Sequence, residues 1–187
     1  MAKGHNFPLL TLVGVIDADL GLQGSDLRAA ERTFQLMRQV SGRAGRSDKP
    51  GEALLQTYQP EHPVIQSILS GEETGFLQTE ATQRRDAGVP PYGRLAGIIL
   101  SGPDLSQLFA LGNALVRQDH PLRQINAQVF GPAPAPIARV RGRHRVRLLV
   151  KAGKTAALQP ALATWIGQFK LKAQMRLVVD IDPQSFY

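Results

Sequence analysis

RVRGRHRVRLLVK, Arg139–Lys151, alternates arginine with Val140, Gly142, His144 and Val146 and then turns apolar. Alternate residues of an extended chain share a face. The stretch therefore reads as two extended arms with Gly142 allowing a turn between them, the second arm being a strand over Arg143–Lys151. Just upstream, Gln128–Gly131 reads as another strand, and the PAPAP segment Pro132–Pro136 follows it. Proline donates no ladder hydrogen bond, so PAPAP is expected as an extended loop or a sheet edge.

Arg94–Ser101 reads as a strand, and Leu105, Leu108, Phe109, Leu115 and Val116 form a helical stripe behind it. After the arginine arms, Leu158, Leu162, Trp165, Ile166 and Phe169 form a second stripe, and Met175–Ile181 is a closing strand. Phe130, Tyr92 and Trp165 are sparse, and Trp165 sits on the apolar stripe and reads as core, so no base-stacking platform is expected. The order is βαββαβ, the ferredoxin-like, split βαβ arrangement in which an antiparallel sheet carries both helices on one face. The adjacent Pro90 and Pro91 cannot continue a helix and bound this second unit, residues 91–187.

The first half has a different rhythm. Thr11–Ile16 is a near-continuous apolar run of the kind buried on both faces of a parallel sheet. Leu27, Ala30, Phe34, Met37 and Val40 recur at helical spacing, with Ser25 before them as an N-cap. Glu52–Tyr58 reads as a second strand, and His62–Ser70 and Glu73–Asp86 read as helices. Residues 1–58 thus form one α/β unit, and residues 59–90 form a helical connector.

Charge separates the halves. Residues 1–90 hold 9 Lys and Arg against 11 Asp and Glu, whereas residues 91–187 hold 13 against 4. The basic excess lies wholly in the second half, as expected of a part that meets a polyanion. Arg139, Arg141, Arg143, Arg145 and Arg147 are the candidates for phosphate contact, the alternative being a solvated edge that prevents strand pairing. No apolar run approaches the roughly 18 residues of a membrane span, and the N-terminus lacks a signal pattern; a cytoplasmic location is expected. His5, His62, His120 and His144 show no metal-ligand spacing, and cysteine is absent. Asp180 and Asp182 could share a strand face, but beside Pro183 they read as structural.

QVSGRAGR, Gln39–Arg46, ends the first helical segment with two arginines three residues apart. Arginine stays charged, and its fork suits terminal phosphates; a plain helix C-terminus is the competing reading. Upstream, AKGHNFPLLTLVGVIDAD, Ala2–Asp19, is a glycine-bearing loop and an apolar strand ending in Asp17 and Asp19. Together the two stretches resemble motifs V and VI of superfamily 2 helicases. With SDLRAAERTFQLMRQ between them, and PPY, FGPAPAPIARVRGRHR and VVDIDP following in order, the chain resembles the primosomal replication-restart helicase family along essentially its whole length.

That resemblance implies the end of a second RecA-like motor lobe followed by a DNA- and partner-binding domain, in an ATP-driven enzyme that unwinds DNA 3′ to 5′. It assigns Gly4, Asp17, Gln39, Arg43 and Arg46 to ATP with magnesium, Arg43 and Arg46 reaching the γ-phosphate. Lys3 and His5 lie in the same motif V loop. It implies single-stranded or branched DNA, single-stranded-DNA-binding protein and other primosome proteins as partners, with Lys154 the contact for the acidic tail of the binding protein. Neither the phosphate-cradling GxxxxGK[ST] pattern nor a DExH pattern occurs in the 187 residues. The expectation is a C-terminal piece of the enzyme that does not hydrolyse or stably bind ATP alone, and the family's zinc module cannot form without cysteine. The alternative is a stand-alone, non-enzymatic module that binds nucleic acid or primosome proteins.

Overall fold

The computed structural model describes residues 10–22, 26–42 and 51–184. The chain divides into two compact units, Met1–Glu80 and Ala81–Tyr187.

In the first unit, β1 (Leu12–Val15) pairs in parallel with β2 (Glu52–Leu55), Leu12 opposite Glu52 and Val15 opposite Leu55. Parallel neighbours require a crossover between them, and α1 (Ala29–Ser41) lies in that connection. Its buried residues Thr33, Phe34 and Met37 fall at three- and four-residue spacing, the stripe expected of an amphipathic helix. The expected cap Ser25 lies outside the described residues; here Asp26 Oδ1 accepts from Arg28 N at 3.0 Å just ahead of the first turn. α2 (Pro63–Ser70) starts with proline, whose missing N–H costs a helix start nothing. The His62 imidazole accepts from Val64 N at 3.2 Å and caps it.

Residues 59–80, read from the sequence as the start of the connector, contribute Val64, Ile65 and Phe76 to this unit's packing. Phe34 and Phe76 stack with ring centroids 4.5 Å apart. The expectation that Thr11–Ile16 is buried on both faces does not hold. Val13 and Val15 are half-buried while Leu12 and Ile16 are exposed, because β2 is the one strand paired with β1 among the described residues.

The second unit begins within α3 (Glu73–Asp86) and continues through β3 (Gly93–Gly102), α4 (Leu105–Arg117), α5 (His120–Arg123), β4 (Gln128–Val140), β5 (Arg143–Gly153), α6 (Leu158–Gly167) and β6 (Arg176–Ile181). The sheet order is β4-β5-β3-β6, and every neighbouring pair is antiparallel. On β5, Val146, Leu148, Val150 and Ala152 face the helices, as do Ala96, Ile98 and Leu100 on β3. Leu108 and Leu115 of α4, Leu122 of α5 and Leu158, Leu162 and Trp165 of α6 close over them. Trp165 is fully buried, and its Nε1 donates to the Leu115 carbonyl at 3.0 Å, so its one polar group is paired.

Two departures from the sequence reading have local causes. The single turn α5 is too short to show a helical period. β4 runs on through PAPAP to Val140, keeping the expected edge position, with irregular pairing between Phe130 and Ala133 and between Pro134 and Arg139. Pro132 packs against α4 at Gly112, where an added Cβ would come within 2.8 Å of the proline ring.

Candidate nucleic-acid interface

The arginine-rich stretch is a β-hairpin. Val140 pairs with Arg143 and Arg139 with His144, leaving Arg141 (φ 47°) and Gly142 (φ 77°) as a two-residue turn. Positive φ at both positions matches the twist of the flanking strands, which is why Gly142 is suited to the tip.

Directly paired residues of an antiparallel ladder share a face, and the register sorts the five arginines. Since Val146, Leu148 and Val150 point at α4, α5 and α6, Arg143, Arg145 and Arg147 point to the other face, on which Leu95 is 3% exposed and Lys151 Nζ donates to the Ala87 carbonyl at 3.3 Å. Arg139 pairs with His144 and lies on the opposite side. Arg141 is at the exposed tip. The expected alternation is therefore present, but it gathers three arginines on one face rather than five.

Those three are not equivalent. All three are half-buried, but Arg143 Nη2 donates to the carbonyls of Ser101 at 3.1 Å and Gln174 at 2.8 Å, tying the hairpin to the end of β3 and to the segment before β6. Arg145 reaches one carbonyl, that of Ile137, at 3.4 Å. A guanidinium carries five N–H donors in a planar fork, so Arg145 retains donors for an anion. Arg147 is half-buried in the middle of β5. Lys154 is exposed in the turn between β5 and α6.

Two further residues join this face, and Phe130 among them bears on the expectation of no base-stacking platform. Arg176 of β6 pairs with Ser101, which pairs on its other side with Arg145, so two arginines flank a small residue in one row of the open face. Phe130 of β4 is opposite Leu149 on that face and 48% exposed. Neither is visible as a motif, because each acquires its neighbours through pairing with a distant strand. Asp182, read as structural, accepts from Arg94 Nε at 2.7 Å and Leu95 N at 2.9 Å and pins the end of β6 to β3.

The candidates of the first unit are less completely placed. Gly4, Arg43 and Arg46, with Lys3 and His5, lie outside the described residues. Gln39 is exposed on α1, and Asp17 is exposed at φ 54°, at the start of a short 3-10 turn (Ala18–Gly21). Asp19 has a different role. It is buried, and its carboxylate accepts from Thr57 Oγ1 at 2.5 Å and Tyr58 N at 2.7 Å. The Thr57 hydroxyl first, then the Tyr58 amide, hold its carboxyl below the ordinary value, so it fastens the segment after β2 as an anion. Among the described residues, no three His, Asp or Glu side chains gather to hold a metal, and no helix is long and apolar enough to cross a membrane.

Residues 85–184 match the family model of the primosomal protein N C-terminal domain. The chain is similar to the replication restart protein PriA of Rickettsia felis, 42% identical over 187 residues, which is all of this chain and 28% of that protein. It is 35% identical to the Bacillus subtilis protein of the same name over 98% of this chain and 23% of the relative. For the Haemophilus influenzae protein the identity is 36%, over 99% of this chain and 26% of the relative. The chain thus spans about a quarter of the length of these relatives.

Proposed function

Because the chain belongs to the family of the primosomal protein N C-terminal domain, we propose that it is the C-terminal part of an ATP-dependent 3′ to 5′ DNA helicase of primosome assembly and replication restart. The observation that carries this reading is the end-to-end similarity of all 187 residues to relatives named for replication restart. On this reading residues 1–58 are the end of a RecA-like motor lobe, residues 59–90 a connector and residues 91–187 a basic domain of ferredoxin-like class. The parallel pairing of β1 and β2 supports the first assignment, and the strand order β4-β5-β3-β6 supports the last.

Gly4, Asp17, Gln39, Arg43 and Arg46 would serve ATP and its magnesium across a cleft completed by the rest of the motor. In phosphoryl transfer such arginines stabilise charge developing on the transferred group. The basic unit binds DNA through its arginine hairpin, and Lys154 meets the acidic tail of single-stranded-DNA-binding protein. The protein works in the cytoplasm.

Two measurements on the purified chain test the reading. It should bind oligothymidylate with a log–log salt slope of about −2 to −3, for about three to four phosphate contacts at about −0.7 each. It should show no DNA-stimulated ATP hydrolysis, since phosphate-directed arginines cannot replace a Walker lysine and magnesium carboxylates. Absence of binding at low salt would remove the DNA half of the proposal. Turnover that persists through stringent purification would overturn the assignment as a motor remnant.

A further inference from the structure

The face of the four-stranded sheet away from α4, α5 and α6 is ordered in rows, of which the row of Leu95 and Lys151 is closed, Leu95 being 3% exposed and Lys151 Nζ bonded to the Ala87 carbonyl. Arg176, Ser101 and Arg145 form one; Val178, Ile99, Arg147 and Ala133 form the next; Asp180, Gly97, Leu149 and Phe130 form the third. Two properties separate along this face. The first row is basic with a small residue at its centre. The second and third carry apolar side chains around the half-buried Arg147, Val178 being 42% and Phe130 48% exposed and Ile99 and Leu149 half-buried. Gly97 leaves the middle of the third row without a side chain. Asp180 is the one acid in the three rows and lies two rows from Arg145 and Arg176.

A single exposed apolar residue on a protein surface is ordinary. A phenyl ring and aliphatic side chains in adjoining rows, bordered by guanidinium groups, form a surface matched to a chain that is anionic along its backbone and flat and apolar in its side groups. Single-stranded nucleic acid has that chemistry, with phosphates for a basic track and bases for an aromatic ring. A duplex does not, because its bases are stacked inside. Edge protection alone accounts for charge on β4, an edge strand, but Arg145 and Arg147 are on the interior strand β5.

We propose that this face is the single-strand-binding surface of the domain, with Arg145, Arg147 and Arg176 contacting phosphates and Phe130 stacking on a base. The proposal rests on the DNA-binding reading above and changes its address. The site is the open sheet face across β4, β5, β3 and β6, and Arg139 and the hairpin tip are outside it. Arg143 is a tether that positions the hairpin.

The test measures binding of the full chain to a fluorescent oligothymidylate across a salt series, beside a duplex of equal length. Phe130→Ala should weaken single-strand binding roughly five- to hundredfold with the salt slope unchanged, while Phe130→Trp should retain it. Arg176→Ala should flatten the slope by about 0.7, and Arg139→Ala should leave both affinity and slope near the parent. If the parent binds but Phe130→Ala and Arg176→Ala are silent while Arg139→Ala is weak, the address is wrong and the DNA-binding reading survives. Equal affinity for duplex and single strand with Phe130→Ala silent would reduce the face to a general anion surface and overturn the proposal. A parent that binds neither oligonucleotide overturns the broader reading with it. Phe130 is half-exposed, so unchanged circular dichroism of the variants separates lost binding from lost folding.

Discussion

Asp104 and Trp165 show how much one residue can organise. Asp104 precedes α4, its Oδ1 accepting from Gln107 N at 3.1 Å and its Oδ2 from Gln107 Nε2 at 2.9 Å. The backbone bond first, then the side-chain bond, hold its carboxyl below the ordinary value. A depressed folded pKa contributes stability that is present above the unfolded value, about pH 4, and is lost as pH falls from there through the folded value. Asp104→Asn keeps the cap and removes the titration, so its urea midpoint should fall less than the parent's between about pH 4 and pH 2. Trp165→Ala removes a fully buried indole and should cost about 3–5 kcal/mol by urea unfolding. Trp165→Phe, which leaves the Leu115 carbonyl without its indole donor, should cost less. The core role of Trp165 was legible from its helical stripe. The pairing of Arg176 with Arg145 was not, since residues 31 positions apart become neighbours only through the register of both strands with Ser101.

At the scale of elements, legibility followed the length of the repeating pattern. α3 has the bounds read from the sequence, Glu73–Asp86, and β3 exceeds the expected Arg94–Ser101 by one residue at each end. The single turn α5 and the length of β4 were illegible, the first for want of periodicity. The second was missed because proline withholds a donor without preventing an extended edge. The hairpin permits a clean separation of backbone from packing effects. An added Cβ at Gly142 meets nothing within 4 Å, yet φ is 77° there. Gly142→Ala should therefore cost about 1–2 kcal/mol through backbone strain alone. At Gly112 the helix backbone is ordinary and the obstacle is the Pro132 ring. Gly112→Ala should cost about 1–3 kcal/mol as overpacking, and replacing Pro132 by glycine alongside it, which removes both the Cβ and the Cγ nearest the new methyl, should recover part of that loss, which a double-mutant cycle would measure. Additive losses would mean that the Gly112 defect arises elsewhere.

The whole molecule has an uneven distribution of core. The second unit joins residues of β3, β5, α4, α5 and α6 in one continuous cluster of 14 buried side chains. Among the described residues of the first unit there are two clusters with three buried side chains each, and Leu12, Ile16, Leu20 and Leu54 are exposed. Burial is the main favourable term in folding and must offset chain entropy over every ordered residue, so on the described residues the second unit is expected to be the more stable. Residues 81–187 should fold cooperatively when expressed alone, with a single urea transition and dispersed amide signals. Residues 1–80 should be proteolysed first in the full chain and should self-associate through the edges of the parallel sheet, which has two strands among the described residues. Limited proteolysis followed by mass spectrometry distinguishes the outcomes. A resistant core beginning near Ala81 is expected, whereas early cleavage within β3–β6 with residues 1–80 intact would show that the larger cluster is not the stabilising one.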